Sequence, residues 1–339
     1  MKTKTFERKR VRNKQFAIAV NILQTLILIV PVALNIIGPE TSWLGTLNMY
    51  LPQWIWGIPL LITLPLTFIL YRKLFWLPML SILWVVGPVM GLVINFPQSA
   101  LNSSDVIRIM TYNVKGGRRD ANAVAADIRK YHPDVILMDD QQGVLRTVVG
   151  TVLSGWHISD DPQFVVATRL PVLSYNGLES SHDTGEPYVS DLRILFHHQR
   201  ITFLPVHLMT PRFGIKAIAK RGKLGEMEAY AQYRLIQADT ICGDLSLDRG
   251  PIVVAGDFNS TVSSLVIRKL LNKGFEDAFS VAGNGYGYTY GQYTPLHYPF
   301  MRIDHILINK DWKVVDCFTG NSIGSDHSPV IADLELKHP

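Results

Sequence analysis

The chain has 339 residues, 47% of them hydrophobic, and a formal net charge of +5. The hydrophobic residues are concentrated in the first hundred positions, which excludes one uniform globular domain. Those positions also hold nine of the 33 Lys and Arg residues but two of the 28 acids, which leaves 24 basic and 26 acidic residues beyond them. The remainder is near neutral, which argues against a polyanion-binding surface over the whole of it.

Three stretches of the N-terminal part lack charge. No Asp, Glu, Lys or Arg occurs in residues 15–38, 41–71 or 74–104. Since about 20 apolar residues cross a bilayer, we predict three transmembrane helices, at residues 16–37, 54–71 and 74–96. A cleaved signal peptide is the alternative for the first stretch, but its apolar run is longer than usual and further apolar stretches follow.

Positive charge predicts how these helices are oriented. The opening MKTKTFERKRVRNK carries seven Lys or Arg, and Arg72 and Lys73 separate the second and third stretches. By the positive-inside rule, residues 1–15 and this turn are cytoplasmic. Three spans within residues 16–97 would place the following domain outside, so we predict an integral membrane protein with a periplasmic or extracellular domain.

Beyond residue 102, short apolar runs alternate with helical patterns. Runs rich in Val, Ile and Leu predict strands, namely VIRIMTYNV, PDVILM, QFVVAT, LRILF, RITFLPVHL, GPIVVAGDF, RIDHILI and PVIADLEL. DANAVAADIRKY and EMEAYAQYRLIQADTICGDL have helical spacing. The pattern predicts two packed sheets with helices outside. Cys242 and Cys317 either pair or stay buried as free thiols.

Polar side chains collect where the predicted strands end. The set comprises Asn113, Asp140, His207, Asp257, Asn259, Asp304, Asp326 and His327. Carboxylates and a carboxamide with no nearby cysteine favour Mg²⁺ or Mn²⁺ over zinc. An Asp-His pair can supply a general base, which metal-assisted hydrolysis requires.

These motifs resemble the endonuclease/exonuclease/phosphatase superfamily. TYNVKGG, PDVILMDD, PVHL, GDFNS, RIDHILI and SDHSPV occur in the family's order within residues 105–336. The resemblance implies a DNase I-like four-layered α/β sandwich and hydrolysis of a phosphoester. The chain also resembles bacterial members that carry N-terminal membrane helices, which implies a bacterial cell or inner membrane.

The resemblance also implies a role for each motif residue. Asn113 and Asp140 would hold a divalent metal, with Asp326 as a further candidate ligand. His327 would take a proton from the attacking water, oriented by Asp304. Asp257 and Asn259 would position the water and the phosphate. His207 would donate a hydrogen bond to a phosphoryl oxygen.

The chain departs from the family pattern at one metal ligand. The family usually has Leu-Gln-Glu where this chain has Met138, Asp139 and Asp140. Alternation along a strand sends the two aspartates to opposite faces. We predict that Asp140, at the glutamate position, is the ligand and that Asp139 is solvated or caps the next segment.

The substrate is less well determined by the sequence. A basic segment after His207 runs from Arg212 to Lys223 and either meets anionic head groups or is a solvated loop. The tyrosine-rich segment before Arg302 either shapes a pocket wall, stacks on a base or ring, contacts the bilayer interface or packs on the core. Arg212 and Arg302 are candidate substrate-binding residues.

Three classes of function follow from this reading. The first is a phosphoesterase acting on a lipid head group or lipid-linked phosphate, with membrane lipids as partners. The second is an outward-facing nuclease, which the near-neutral domain does not favour. The third is a non-catalytic receptor or scaffold, which has no need of the whole set of polar residues.

Overall fold

The computed structural model describes residues 2–96, 98–117, 119–140, 152–180, 187–245, 250–321 and 323–337. Its contacts divide the chain into two compact units, Met1–Leu92 and Val93–Pro339. The first unit contains α1 (Lys2–Ile37), α2 (Trp43–Met49), α3 (Leu60–Tyr71) and α4 (Trp76–Trp84). The side-chain amide of Asn21 in α1 donates to Thr67 of α3 at 2.8 Å, and a polar contact of this kind is typical between apolar helices.

Two of the three predicted spans have membrane-spanning length. Apolar helical segments cover Phe6–Ile37 and Gln53–Leu74, whereas the third, Trp76–Val89, has 14 residues. At 1.5 Å per residue it reaches about 21 Å, against a hydrocarbon core of about 30 Å. Pro88 lies in its last turn and Gly91 follows with φ +75°, so the helix ends well before residue 96.

The second unit is built on two six-stranded sheets. The first has the order β11-β12-β1-β2-β4-β3 and the second β5-β6-β7-β8-β10-β9. The strands are β1 (Val106–Asn113), β2 (Val135–Asp139), β3 (His157–Asp160), β4 (Phe164–Thr168), β5 (Val172–Ser180), β6 (Pro187–Phe196), β7 (Gln199–His207), β8 (Ile252–Asp257), β9 (Glu276–Asp277), β10 (Asp304–Ile308), β11 (Trp312–Thr319) and β12 (Val330–Leu336).

Helices cover the outer faces of both sheets. They are α5 (Ala121–Tyr131), α7 (Leu224–Leu245) with α6 (Arg212–Arg221) packed on it, and α8 (Leu265–Asn272). The short helix α9 (Ala278–Ala282) instead packs its side chains into the core between the sheets. Alternation along β2 explains the layering, since Val135 and Leu137 enter the core between the sheets while Ile136 and Met138 pack under α5. The predicted α/β sandwich with two sheets is confirmed. Cys242 and Cys317 are buried free thiols.

A segment ahead of β1 packs along the second unit. Val93 and Gly285 exchange two backbone hydrogen bonds of 2.9 Å. Glu335 on β12 accepts from the backbone N–H groups of Leu101 and Asn102, at 2.6 and 2.8 Å. The chain is therefore hydrogen-bonded to the rest of the second unit at both ends of residues 93–102.

Candidate active site

Strand register brings the motif residues to one end of the two sheets. The parallel pair β1 and β2 places Asn113 opposite Asp139, and the parallel pair β7 and β8 places His207 opposite Asp257. Because these strands are parallel in each pair, their carboxyl ends meet at one edge. Antiparallel β10 adds Asp304 opposite Asp257.

Asp257 lies at the centre of this cluster. Its carboxylate accepts from the Asn113 amide at 3.0 Å and from the backbone N–H of Asn259 at 2.7 Å. The Nε2 atoms of His207 and His327 each lie 3.8 Å from its Oδ2. One buried carboxylate oxygen therefore lies within ion-pairing distance of two imidazoles.

Local backbone conformation fixes the loop that carries Asp257. Gly256 has φ +148°, and a methyl group there would lie 1.9 Å from the carbonyl oxygen of Val206. Asn259 has φ +48°, a left-handed conformation that asparagine tolerates, and its amide donates to the Leu208 carbonyl at 2.9 Å. The glycine and the asparagine of GDFN are thus required by this turn.

His327 forms a buried pair with Asp304. Its Nδ1–H donates to the Asp304 carboxylate at 2.9 Å, and its backbone N–H donates to Ser325, whose hydroxyl donates to the Asn113 carbonyl. Burial lowers the pKa of His327, but the charges of Asp304 and Asp257 outweigh it and raise that pKa to about 9. Without a cation at the site, the ring is therefore protonated at neutral pH.

His207, unlike His327, is uncharged at neutral pH. Burial lowers its pKa to about 4, so the ring is neutral at pH 7. Its Nδ1 contacts the side-chain amide of Gln163. The backbone N–H of Gln163 donates to Asp161 at 2.8 Å, and this carboxylate also accepts from Tyr175 and Ser190. The orientation of the His207 ring is thus set by a buried polar network.

The carboxylates of the cluster suit a cation. Burial and the charge of Asp304 raise the pKa of Asp257 to about 7. Within the described residues, two groups are close enough to share an ion, Asp139 with His207 and Asp257, and Asp257 with Asp304 and His327. Both oxygens of Asp139 lack a hydrogen-bond partner among the described residues. An unsatisfied buried carboxylate beside two others fits a bound metal.

The two aspartates at the end of β2 lie in different environments. Asp139 is 1% exposed, so the prediction that it is solvated is wrong, and the alternative that it caps the next segment concerns residues 141–151, which lie outside the described residues. It follows Val135 and Leu137 on the core-facing side of the strand, and this alternation was the signal for its position. Asp140 has φ +54° and pairs with Lys115 at 2.9 Å. Its role as a metal ligand remains a prediction.

The other predicted ligands lie around the same centre. Asn113 uses its amide N–H on Asp257, and its Oδ1 accepts from the backbone N–H of Lys115 at 3.2 Å. Asp326 is half-buried and precedes His327, whose pKa its charge helps to raise. It belongs to neither of the cation-sized groups found among the described residues.

The two candidate substrate-binding arginines differ in environment. Arg302 is 7% exposed and its guanidinium pairs with Asp277 at 2.6 Å. Arg302 therefore forms a buried ion pair inside the domain, and the expectation that it contacts substrate does not hold. Arg212 is exposed at the start of α6. Most of the basic segment forms a helix and not a loop. Arg212, Lys216 and Lys220 are exposed on it, so the alternative of a solvated surface segment stays open.

Sequence reasoning missed individual residues that line the site. Tyr290 packs on His327 with ring centroids 4.8 Å apart, which makes part of the tyrosine-rich segment a wall of the site. Gln163 reaches His207 from the turn before β4 and has no sequence signal, because its contact depends on the pairing of the two sheets. The Lys115 contact with Asp140 depends on a turn after β1 in the same way.

Comparisons with known proteins agree with this geometry. A model of the "Endonuclease/Exonuclease/phosphatase family" matches residues 110–327. A search of curated proteins found no match.

Several solved structures share the fold. Truncated Caenorhabditis elegans TDP2 is 15% identical, with 68% of this chain and 98% of that chain covered and a TM-score of 0.54. A conserved protein of unknown function from Enterococcus faecalis is 16% identical, with 68% and 100% covered and a TM-score of 0.54. An endonuclease/exonuclease/phosphatase from Bacteroides vulgatus is 18% identical, with 68% and 99% covered and a TM-score of 0.51.

The family match covers more than half of the chain, and it includes Asn113, His207, Asp257 and His327. Members of this family are hydrolases of phosphoester bonds that depend on divalent metals. The chain belongs to the endonuclease/exonuclease/phosphatase family and is a phosphoester hydrolase.

Proposed function

We propose that the protein is a membrane-attached, divalent-metal-dependent phosphoesterase that hydrolyses a phosphodiester or phosphomonoester of a lipid head group or lipid-linked phosphate. One observation carries the proposal. Asp257 has an imidazole nitrogen 3.8 Å away on each side, and Asp304 lies behind one of the two rings. The site thus offers a neutral donor, a carboxylate-supported base and buried carboxylates for a metal.

The metal would be Mg²⁺ or Mn²⁺, held by the carboxylates around Asp257. Asn113, Asp140 and Asp326 are the ligands implied by the motifs, and the packed cluster also supplies Asp139. When bound, the metal would polarise a phosphoryl oxygen, neutralise developing charge and offset the carboxylate charge that holds His327 protonated.

The protein's own side chains supply the base, the hydrogen-bond donor and the groups that position the reactants. His327 accepts a proton from the attacking water at Nε2, while Asp304 accepts from Nδ1–H and stabilises the imidazolium that forms. His207 is neutral and donates a hydrogen bond to a phosphoryl oxygen. Asp257 and Asn259 position the water and the phosphate. Tyr290 covers one face of His327 and limits the entry of bulk water there.

Helix α6 supports a lipid substrate. It begins five residues after His207 and presents Arg212, Lys216 and Lys220 on one stripe, all of them exposed. Phe213 is 54% exposed beside them. A basic stripe with an apolar side chain suits the surface of an anionic bilayer. We expect Lys216→Gln with Lys220→Gln to slow turnover in anionic vesicles and to leave turnover of a soluble diester unchanged.

We further propose that the catalytic domain faces the outer side of a bacterial cell or inner membrane. This orientation counts the apolar residues 74–96 as a crossing, although the helix there is short. Two crossings would return the domain to the side of the basic N-terminus. A reporter fused after Pro339 distinguishes these cases, since activity outside the cytoplasm requires three crossings and activity inside it contradicts the orientation.

Substrate class is tested with the purified full chain in detergent or liposomes. Phospholipids, a generic phosphodiester and plasmid DNA are incubated with Mg²⁺ or Mn²⁺ or with a chelator. His327→Ala is the inactive variant, and His157→Ala, on exposed strand β3, is the matched control. Metal-dependent lipid turnover that only His327→Ala abolishes is the expected result. Plasmid cleavage without lipid turnover would identify a nuclease, and no turnover at all would identify a binding protein.

A further inference from the structure

A buried carboxylate beside the catalytic residues has no hydrogen-bond partner in the part of the chain that the structure describes. Asp139 is 1% exposed, and neither of its oxygens has a hydrogen-bond partner within the described residues. Nδ1 of His207 lies 3.7 Å from Oδ2 of Asp139, and Asp257 belongs to the same cation-sized group. A buried carboxylate in this position costs free energy unless a cation neutralises it.

The neighbouring aspartate is already neutralised. Asp140 occupies the place of the family's glutamate in the sequence, but the strand ends at Asp139 and Asp140 adopts φ +54°. Its carboxylate pairs with the Lys115 ammonium at 2.9 Å. Asp140 is one methylene shorter than a glutamate, and binding a metal would require it to leave this pair.

We propose that Asp139, His207 and Asp257 form a divalent-cation site, so that the metal-binding carboxylate of β2 has moved one residue toward the N-terminus. This inference rests on the proposed function and changes one role in it, because a His207 ring that binds the ion through Nε2 and donates from Nδ1 to Gln163 no longer donates to a phosphoryl oxygen. One ligand atom from each of the three residues lies within 4.8 Å of the other two. That spacing suits a single ion with ligands at about 2.0 to 2.5 Å.

The donor set predicts which ion is preferred. Two carboxylates and one imidazole suit Mn²⁺ or another transition metal better than Mg²⁺, which prefers oxygen ligands. Gln163 completes the arrangement because its amide contacts His207. After a half-turn of that amide, its oxygen accepts from Nδ1–H and leaves Nε2 free to bind the ion, as the outer partners of metal-bound histidines do.

The test measures Mn²⁺ binding to the full chain, stripped of metals in detergent, by calorimetry and electron paramagnetic resonance. We expect Asp139→Asn to weaken Mn²⁺ binding at least about 10-fold, and Asp140→Asn to change it less than about 3-fold. The nitrogen coupling of bound Mn²⁺ should disappear in His207→Gln and persist in His327→Gln. The His207 result keeps the test decisive if Asp139→Asn fails to fold.

The opposite result would overturn the site. Binding that depends on Asp140 and not on Asp139, or a nitrogen coupling that survives His207→Gln, refutes the assignment. The proposed function has separate outcomes. Mn²⁺ binding that requires Asp139 in a protein that hydrolyses no phosphoester would leave the site standing and refute the function. Metal-dependent turnover that is undiminished in Asp139→Asn would refute the site and leave the proposed function standing.

Discussion

Replacing Asp304 by asparagine should change the protonation of His327 more than any surface substitution. In the metal-free protein the pKa of His327 is about 9, against an ordinary value near 6.5. At about 1.4 kcal/mol per pKa unit, the difference corresponds to about 3 kcal/mol of preference for the charged ring. Asp304 makes the largest favourable contribution to it. We expect Asp304→Asn to lower this pKa by at least about one unit.

The same substitution should change how stability depends on pH. A pKa that is raised on folding contributes stability that is complete below the unfolded value and is lost as pH rises through about 9. The deficit of Asp304→Asn is therefore largest near pH 6 and shrinks toward pH 10. Losing Asp304 also relieves its repulsion of Asp257 and Asp139 at pH values where those carboxylates are ionised, which shrinks the deficit further as pH rises. We expect a net loss of about 1 to 2 kcal/mol near pH 6.

The assay is a nuclear magnetic resonance titration of the full chain carrying labelled histidine, with divalent ions removed. His327→Gln identifies the His327 signal, and Asp239→Asn, at an exposed position of α7, is the control substitution. An unchanged His327 pKa in Asp304→Asn would refute the claim that this carboxylate holds the proton on the ring.

Further substitutions test other parts of the site. Gln163→Leu should lower kcat about 10- to 100-fold by freeing the His207 ring, and Gln163→Glu, which can still contact that ring, should restore most of the rate. Arg302→Met should destabilise the protein by about 3 to 5 kcal/mol, measured by urea unfolding, because Asp277 is left buried without its partner, while KM stays unchanged. Burial raises the pKa of Asp277, but Arg302 and His305 together lower it by more than burial raises it. The Asp277 carboxylate becomes protonated as pH falls, so this destabilisation should shrink at low pH. Calorimetry in buffers of different ionisation enthalpy should show that Mn²⁺ binding releases more protons at pH 6 than at pH 9, because the pKa of Asp257 is about 7.

The strands that the sequence predicted are those that lie inside the sheets. VIRIMTYN and IVVAGD form β1 and β8, which are buried along most of their length. The missed strands β3, β5, β9 and β11 lie at sheet edges. β5 has register shifts at Val172/Ser174 and Gly177/Glu179, and such bulges break the two-residue alternation that identifies a strand.

Composition alone did not predict where the third N-terminal apolar helix ends. Residues 74–96 lack charge and satisfy the criterion for a span by sequence, yet the apolar helix ends at Val89. Pro88 lacks a backbone N–H, and Gly91 takes a positive φ that ends a helix readily. Hydropathy averages over a window and does not register such local backbone effects.

The candidate site was predictable wherever a motif ended a strand. His207 and Asp257 follow buried runs and meet because β7 and β8 are parallel. Asp139 and Gln163 were not identified, since their contacts join the two sheets and depend on tertiary packing. Asp139 could have been placed by the alternation of Val135 and Leu137, whereas nothing in the sequence marks Gln163.

The central claim is that this cleft hydrolyses phosphoesters with His327 as the base. The most direct measurement is kcat for a soluble phosphodiester with Mn²⁺, comparing the full chain with His327→Gln and with His157→Ala. The account predicts metal-dependent turnover that falls about 10²- to 10⁴-fold in His327→Gln and stays unchanged in His157→Ala. Turnover that is equal in His327→Gln and the unmodified chain would contradict it.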